Sequence, residues 1–325
     1  MKPVLHLLAA GGTIAMQRSA EAGGNIPALD GAGLLALAGD LGLAAEIRVE
    51  DWDRRPAVHR GPAELWALRQ RVAALVEGAG APAGVVITHG TDTLEETAYL
   101  LARTIPPAVP VVITGAMRTS SDADWDGPRN LRDAVRTAAH PASRDRGAMV
   151  VFAGKILAGL EAAKLDAFSP DAFGAPHGAL LGTVERDAVC FARPAATPGA
   201  QRSVLELPGL TARVAIIPLI LGDDGTLLDL ARPRFDGVVL LAFGRGNLPP
   251  GALPAIRRWL DDGKPVVLGT RCPFGEVGGE YAFQGGGAPL LAMGVIPAGP
   301  RTAAQARLEL ALCLSAGVPY GGGPA

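Results

Sequence analysis

Short apolar runs alternate along this chain with longer stretches whose apolar residues recur every three or four positions. The runs are VLHLLAA (4–10), GVVITHG (84–90), VPVVITGA (109–116), AMVVFAG (148–154), RVAIIPLI (213–220), GVVLLAF (237–243) and KPVVLGT (264–270). Each is too short for a helix and has almost no polar alternation, which predicts strands buried on both faces. Between them, AELWALRQRVAALVEG (63–78), LEETAYLLART (94–104), the stretch around RNLRDAVRTAA (129–139), GALPAIRRWLDDG (251–263) and AAQARLELALCLSAG (303–317) read as amphipathic helices. Buried strands alternating with helices predict an α/β protein with parallel sheets covered by helices.

The segment RPAATPGAQRSVLELPGL (193–210) breaks that rhythm with proline, glycine and small polar residues. It predicts a domain boundary near residue 200: an N-terminal domain over 1–195, a linker over 196–212 and a C-terminal domain over 213–325. Both domains would be of ordinary size.

Composition narrows the function classes. With 49% hydrophobic residues and a formal net charge of −2, the chain can bury large cores and offers no electrostatic attraction to nucleic acid or an anionic membrane. Cys190, Cys272 and Cys313 are few, odd in number and far apart, which argues against a disulfide framework and a zinc site. The opening MKPVLHLLAAGG has a short apolar stretch interrupted by His6, so it reads as a buried first strand rather than a signal peptide. No run of about 20 apolar residues exists, and the expectation is a cytoplasmic protein.

Candidate chemistry sits where two strands end. The first run stops at Gly11-Gly12 and is followed by Thr13. Ligands of parallel sheets bind beyond the carboxyl ends of strands, and glycines there let the chain turn sharply and approach a ligand closely. A tight turn with a helix-capping threonine explains Thr13 equally well. The second exit repeats the plan: His89-Gly90, then Thr91-Asp92-Thr93, then a helix. Thr93 and Glu96 have capping-box spacing, which leaves Thr91 and Asp92 to face the same crevice as Thr13.

These residues carry a resemblance. AGGTIA (10–15) and VITHGTDTLEETAY (86–99) resemble the two signatures of the bacterial-type L-asparaginase/glutaminase family. GAMR (115–118), DGPRNL (126–131), Lys164 followed by DAF (171–173), GRGNLP (244–249) and the closing helix ARLELALCL match in order, so the resemblance covers nearly the whole chain. It implies a larger flavodoxin-like N-terminal domain and a smaller Rossmann-like C-terminal one. It implies hydrolysis of a side-chain amide to carboxylate and ammonia, with no metal and no cofactor. It also implies a homodimer or homotetramer whose active sites are shared between subunits.

Residue by residue, Thr13 matches the family's primary nucleophile. Thr91 matches its second threonine, and Lys164 the lysine that works with that threonine; Lys155 fits the spacing less well. Asp92 matches the carboxylate that holds the substrate's α-ammonium, beside Gly90. Asn247 matches a residue that approaches the neighbouring subunit's ligand. Read on their own, Asp92 could be a helix-start acid, Lys164 a surface lysine and Asn247 a turn residue. His89 is read as structural rather than as a general base.

The chain departs from the family at two places. Asn25 stands where members carry a lid tyrosine, and Ala57 where they carry a serine for the substrate's α-carboxylate. Between Ala20 and Ile87 there is no serine, threonine or tyrosine at all. Substitute groups in the same region are Arg18, Arg54, Arg55, His59 and Arg60; their ordinary reading is solvated loop charge. Three functions stay open: hydrolysis of L-asparagine or a related amide by a threonine nucleophile, action of the same fold on a non-standard amide or carboxylate substrate, or a catalytically silent homologue.

Overall fold

The computed structural model describes residues 2–41, 43–195 and 204–321. They form two compact units, Met1–Val204 and Leu205–Ala325. Residues 196–203 of the expected linker lie outside the described residues. Its last residues are described within the second unit, where the amides of Thr211 and Ala212 donate to Ser315 Oγ at 3.0 and 3.1 Å.

In chain order the first unit comprises β1 (Val4–Ala10), β2 (Met16–Ser19), β3 (Gly24–Pro27), α1 (Gly31–Ala38), β4 (Glu46–Asp51), α2 (Pro62–Glu77), β5 (Gly84–His89), α3 (Leu94–Thr104), β6 (Val111–Thr114) and α4 (Gly127–Ala139). It continues with β7 (Ala148–Phe152), β8 (Lys155–Ala158), β9 (Ala163–Lys164), β10 (Phe173–Gly174), β11 (Gly182–Glu185) and β12 (Ala188–Phe191). The eight-stranded sheet has the order β12-β11-β8-β7-β6-β5-β1-β4. The five strands from β4 to β7 are parallel. Numbered along the chain they run 2-1-3-4-5, the flavodoxin-like doubly wound order.

Alternate residues of each parallel strand enter opposite cores, as the pleat requires. Leu8, Ile87, Ile113 and Val150 face α2 and α3 through Leu68, Val72, Ala98 and Leu101. Leu7, Val86, Val112 and Val151 face α1 and α4 through Leu34, Leu131 and Val135. Burial on both faces explains why these strands read as unbroken apolar runs. The opening residues are one of them: β1 lies in the sheet interior between β4 and β5.

The expectation of purely parallel sheets is corrected at one edge. β8 runs antiparallel to β7, β11 to β8, and β12 to β11. Gly154 (φ +77°) makes the reversal between β7 and β8, and the Arg186–Asp187 turn, both at positive φ, makes that between β11 and β12. Tight turns leave no room for crossover helices, so β8 returns antiparallel to β7 and β12 to β11.

The second unit holds β13 (Val214–Pro218), α5 (Thr226–Ala231), β14 (Gly237–Ala242), α6 (Leu253–Asp261), β15 (Val266–Thr270), α7 (Gly287–Met293), β16 (Ile296–Pro297) and α8 (Ala303–Ala316). Its four strands are parallel in the order β13-β14-β15-β16. One face packs on α5, α6 and α7 through Leu228, Trp259 and Leu290, the other on α8 through Ala306 and Leu310.

Candidate active site

In the 2-1-3-4-5 order the winding direction reverses between β1 and β5, and a crevice opens there beyond the carboxyl ends of the strands. Both glycine exits are at this switch point, since Ala10 pairs with His89 at the ends of β1 and β5. Gly11 and Gly12 have φ of +68° and +92°, a region that disfavours side chains. Space forbids them too. A Cβ on Gly11 would lie 3.1 Å from each of the carbonyl oxygens of Asp53, Arg54 and Arg55, and one on Gly12 would lie 2.4 Å from Gly90 N. The two exits therefore touch backbone to backbone, and a short 3₁₀ turn over Thr13–Ala15 follows the first.

Gly90 is confined in turn, because a Cβ there would meet the Ala57 Cβ at 2.7 Å. Ala57 is buried at the start of the Ala57–His59 turn, so the position read from the sequence for carboxylate binding stands against the second exit with a methyl group. Gly115, beyond β6, closes the far side; its Cβ would lie 3.3 Å from Thr91 Cγ2.

Thr91 is 5% exposed. Lys164 Nζ donates to its Oγ1 at 2.9 Å and to Asp92 Oδ1 at 3.0 Å. Asp92 itself is open to solvent, with its side chain 64% exposed against 18% for Lys164. Lys164 arrives on β9, whose backbone is tied to α3 because Lys164 N donates to Glu95 Oε2 at 2.6 Å. Burial raises the Glu95 pKa above the ordinary carboxylate value. Glu95 was missed by sequence reasoning, since an acid in the first turn of a helix already has a sufficient explanation in the helix dipole. The alternative Lys155 is elsewhere, paired with Asp171 at 2.6 Å. Thr93 is the N-cap residue of α3, yet its hydroxyl makes no capping bond, which corrects the capping-box expectation.

His89 is buried, and its Nδ1 is 2.8 Å from Gly90 O. A carbonyl only accepts, so Nδ1 carries the proton and Nε2 is left to accept from Thr97 Oγ1 at 3.1 Å and Arg60 Nη1 at 3.3 Å. Burial, helped by the Arg60 charge, pushes the imidazole pKa down to about 4. This neutral ring holds the exit in shape.

The first exit is furnished differently. The Thr13 hydroxyl has no hydrogen-bond partner among the described residues, and the residue is only partly buried. Beyond it β2 and β3 form a hairpin in which exposed Asn25 pairs with Arg18. The hairpin is fixed at its base: Ser120 N and Oγ donate to Met16 O at 3.2 and 3.1 Å, and Arg18 N to Ser121 Oγ at 2.9 Å. Arg54 is 3.5 Å from both Asp30 and Asp51, and Arg55 grips Asp53 at 2.8 Å. Arg60 is buried, so of the substitute groups near Ala57 His59 is the exposed one without a carboxylate partner among the described residues.

Asn247 belongs to the second unit. It closes the turn after β14, where Phe243 and Asn247 exchange backbone hydrogen bonds, and its buried Oδ1 accepts none among the described residues.

A doubly wound unit with hydroxyl, lysine and carboxylate converging at its switch point, followed by a smaller parallel unit, defines an α/β protein with a candidate site for nucleophilic chemistry. Residues 4–197 match the family described as "Asparaginase, N-terminal" and residues 213–320 the "Glutaminase/Asparaginase C-terminal domain". The chain belongs to the asparaginase family. It is 39% identical to a "Probable L-asparaginase" of Deinococcus radiodurans, over 97% of this chain and 94% of that one. It is 32% identical to an "L-asparaginase" of Bacillus licheniformis, over 97% and 96%. Among solved structures it resembles a "Probable Cytoplasmic L-asparaginase" from Campylobacter jejuni with a TM-score of 0.82 and 28% identity, covering 96% of this chain and 95% of that one.

Proposed function

We propose that the protein hydrolyses the side-chain amide of L-asparagine, or of a closely related amine-bearing amide, to the carboxylate and ammonia through a threonine nucleophile, Thr13 or Thr91. The observation that carries this reading is Lys164 Nζ within hydrogen-bond reach of both Thr91 Oγ1 and Asp92 Oδ1. The attacking hydroxyl oxygen bonds to the amide carbon, and its proton ends on the departing nitrogen, which leaves as ammonia. Water then splits the acyl ester to release the carboxylate. A donor held on Thr91 Oγ1 stabilises negative charge developing there. The exposed Asp92 carboxylate, bonded to Lys164 through one oxygen, has its other face for a substrate ammonium.

One observation favours a second reading, in which the substrate lacks an α-carboxylate. Ala57 puts a methyl group, not a donor, against Gly90. Ammonia release from L-asparagine, D-asparagine, L-glutamine and amides without the carboxylate separates the two readings. Turnover of L-asparagine that Thr13→Ala and Thr91→Ala both abolish supports the first. Mutant-sensitive turnover confined to the carboxylate-free amides supports the second, and silence across the panel defeats both.

A cytoplasmic homo-oligomer is part of the same reading, with Asn247 reaching the ligand of a neighbouring subunit. It draws support from the likeness to the probable cytoplasmic L-asparaginase of Campylobacter jejuni and from the family membership. No helix among the described residues is long and apolar enough to cross a membrane. Light scattering of the purified protein tests the assembly, and a monomer that retains full activity would exclude shared sites.

A further inference from the structure

Arg60 has a side chain only 6% exposed, directly beneath the two exits. Its Nη2 donates to Ala10 O at 2.5 Å, Asp53 O at 3.2 Å and Arg55 O at 3.3 Å. Its Nε donates to Asp53 Oδ2 at 3.3 Å, and its Nη1 lies 3.3 Å from His89 Nε2. Four of the five guanidinium N–H groups are therefore engaged by the protein itself. The group is committed to the fold and does not serve as a carboxylate clamp for substrate.

The setting explains why a cation is buried here. Ala10 O ends β1, and the Asp53, Arg54 and Arg55 carbonyls crowd around Gly11. Converging carbonyls away from water need donors. The same guanidinium reaches the last residue of β1, the last residue of β5 through His89, and the chain leading into Ala57. Each of those three segments carries a position of the proposed site: Thr13, Thr91 and Ala57. Because Gly12 and Gly90 touch without side chains between them, side-chain packing does not set the spacing of the two turns.

We propose that Arg60 is a positioning residue: by binding Ala10 O and His89 Nε2 with one planar group, it fixes the two threonine-bearing turns relative to each other and holds His89 in its Nδ1–H tautomer. His89 Nδ1–H in turn holds Gly90 O, immediately before Thr91. A lysine cannot replace it, since a single ammonium lacks the fork that spans the β1 and β5 ends at once. This inference rests on the amidase reading for its kinetic arm and on geometry alone for its spectroscopic arm.

The test uses Arg60→Met and Arg60→Lys in the full chain, with turnover normalised to the folded fraction from circular dichroism. On the best amide substrate of the wild type, kcat is expected to fall about 10²-fold in both variants, the effect of roughly 1 Å of misplacement, while KM changes little. Imidazole ¹⁵N shifts, assigned with His89→Asn, are expected to show a bare Nε2 in the wild type and a mixture of tautomers in the variants. If Arg60→Met does not fold, Arg60→Lys keeps the charge and the alkyl stem and carries the test alone. Wild-type kcat in a folded variant, a change confined to KM, or an unchanged His89 spectrum overturns the assignment. Absence of ammonia release by the wild type defeats the amidase reading instead, and the ¹⁵N spectra still decide the role of Arg60.

Discussion

The two glycine exits share a backbone plan and hold their threonines in opposite ways. At the second exit Thr91 is buried and bonded to Lys164, which is bonded to Asp92 and anchored through its own amide by Glu95. His89 locks the turn from below. At the first exit Thr13 follows two left-handed glycines, its hydroxyl has no protein partner among the described residues, and an exposed hairpin comes next. The difference teaches where chemistry is preorganised. Thr91 has its charge partners fixed before any substrate arrives, whereas Thr13 is fixed only in its backbone. A group that acts on Thr13 has still to be brought to it, and the candidates include the hairpin, His59, Thr91 with Lys164, and the substrate itself.

The largest expected effect tests that asymmetry. Lys164→Met removes the only ammonium bonded to Thr91 among the described residues and takes the same partner from Asp92. Loss of a group of this kind lowers rates by about 10²–10⁴-fold, and we expect kcat for the best amide to fall within or beyond that range. Lys155→Met, on the Asp171 pair, should stay within about threefold of wild type. Equal losses in the two variants would erase the distinction between the wired lysine and its neighbour.

Next in size is an acid effect at the second exit. His89 has its pKa lowered from 6.5 to about 4 by burial. Between those values the unfolded chain binds a proton that the folded chain does not, so stability falls as pH drops through 6.5 and this loss is complete near pH 4. The shift corresponds to about 3 kcal/mol. Asp133, buried on α4 well along the chain from either exit, has the opposite sign. Burial raises its carboxyl from 3.8 to about 6, so the stability of its protonated form is present below 3.8 and lost as pH rises through 6. The two oppose each other between pH 4 and 6. Urea unfolding across this range should show wild type losing stability relative to His89→Asn as pH falls, and relative to Asp133→Asn as pH rises. Parallel curves for wild type and His89→Asn would mean that His89 does not hold its exit as a neutral ring.

Much of this arrangement was legible in the sequence, for a physical reason. Strands buried on both faces must be apolar throughout, so β1, β5, β6, β7, β14 and β15 stood out as runs. The edge strand β4, EIRVED, exposes most of its side chains and shows no run. The short β8, β11 and β12 carry one to four apolar residues each, and the hairpin of β2 and β3 is mostly solvent-facing. At the site, the glycines and threonines could be placed because turn chemistry is local. Their partners could not be placed that way. Lys164 lies 73 residues from Thr91 and came only through family resemblance. Arg60 read as one loop charge among several, because the acceptors it satisfies, the carbonyls of Ala10, Asp53 and Arg55 and the His89 ring nitrogen, come from three separate segments. Glycine positions thus revealed where the backbone closes in, but not which cation fills the space beneath.

A smaller effect is expected from refurnishing the first exit. Asn25 sits on β3 opposite Arg18, with no hydrogen-bond partner for its side chain among the described residues. Asn25→Tyr places a phenol on the hairpin that follows Thr13, and kcat on L-asparagine should rise about tenfold if the missing function there is proton transfer. The gain should depend on Thr13 and vanish in Thr13→Ala, which separates it from any general change in the hairpin.

The smallest effect concerns binding rather than rate, and it acts where the two exits meet. Ala57 is the buried contact of Gly90, so Ala57→Ser would add a hydroxyl at the junction with little change in volume. A hydroxyl hydrogen bond to a carboxylate contributes roughly 1.5–3 kcal/mol. If L-asparagine is held without that bond in the wild type, KM should drop by about tenfold in the serine variant with kcat nearly unchanged. An amide lacking the α-carboxylate should show no such gain, and its KM should hold or rise because the hydroxyl is then buried without a partner. A gain for both amides would place the serine's effect in the protein, on Gly90 and the second exit. A gain for asparagine alone would show that the site still receives the α-carboxylate at residue 57, and that the methyl group there sets how tightly.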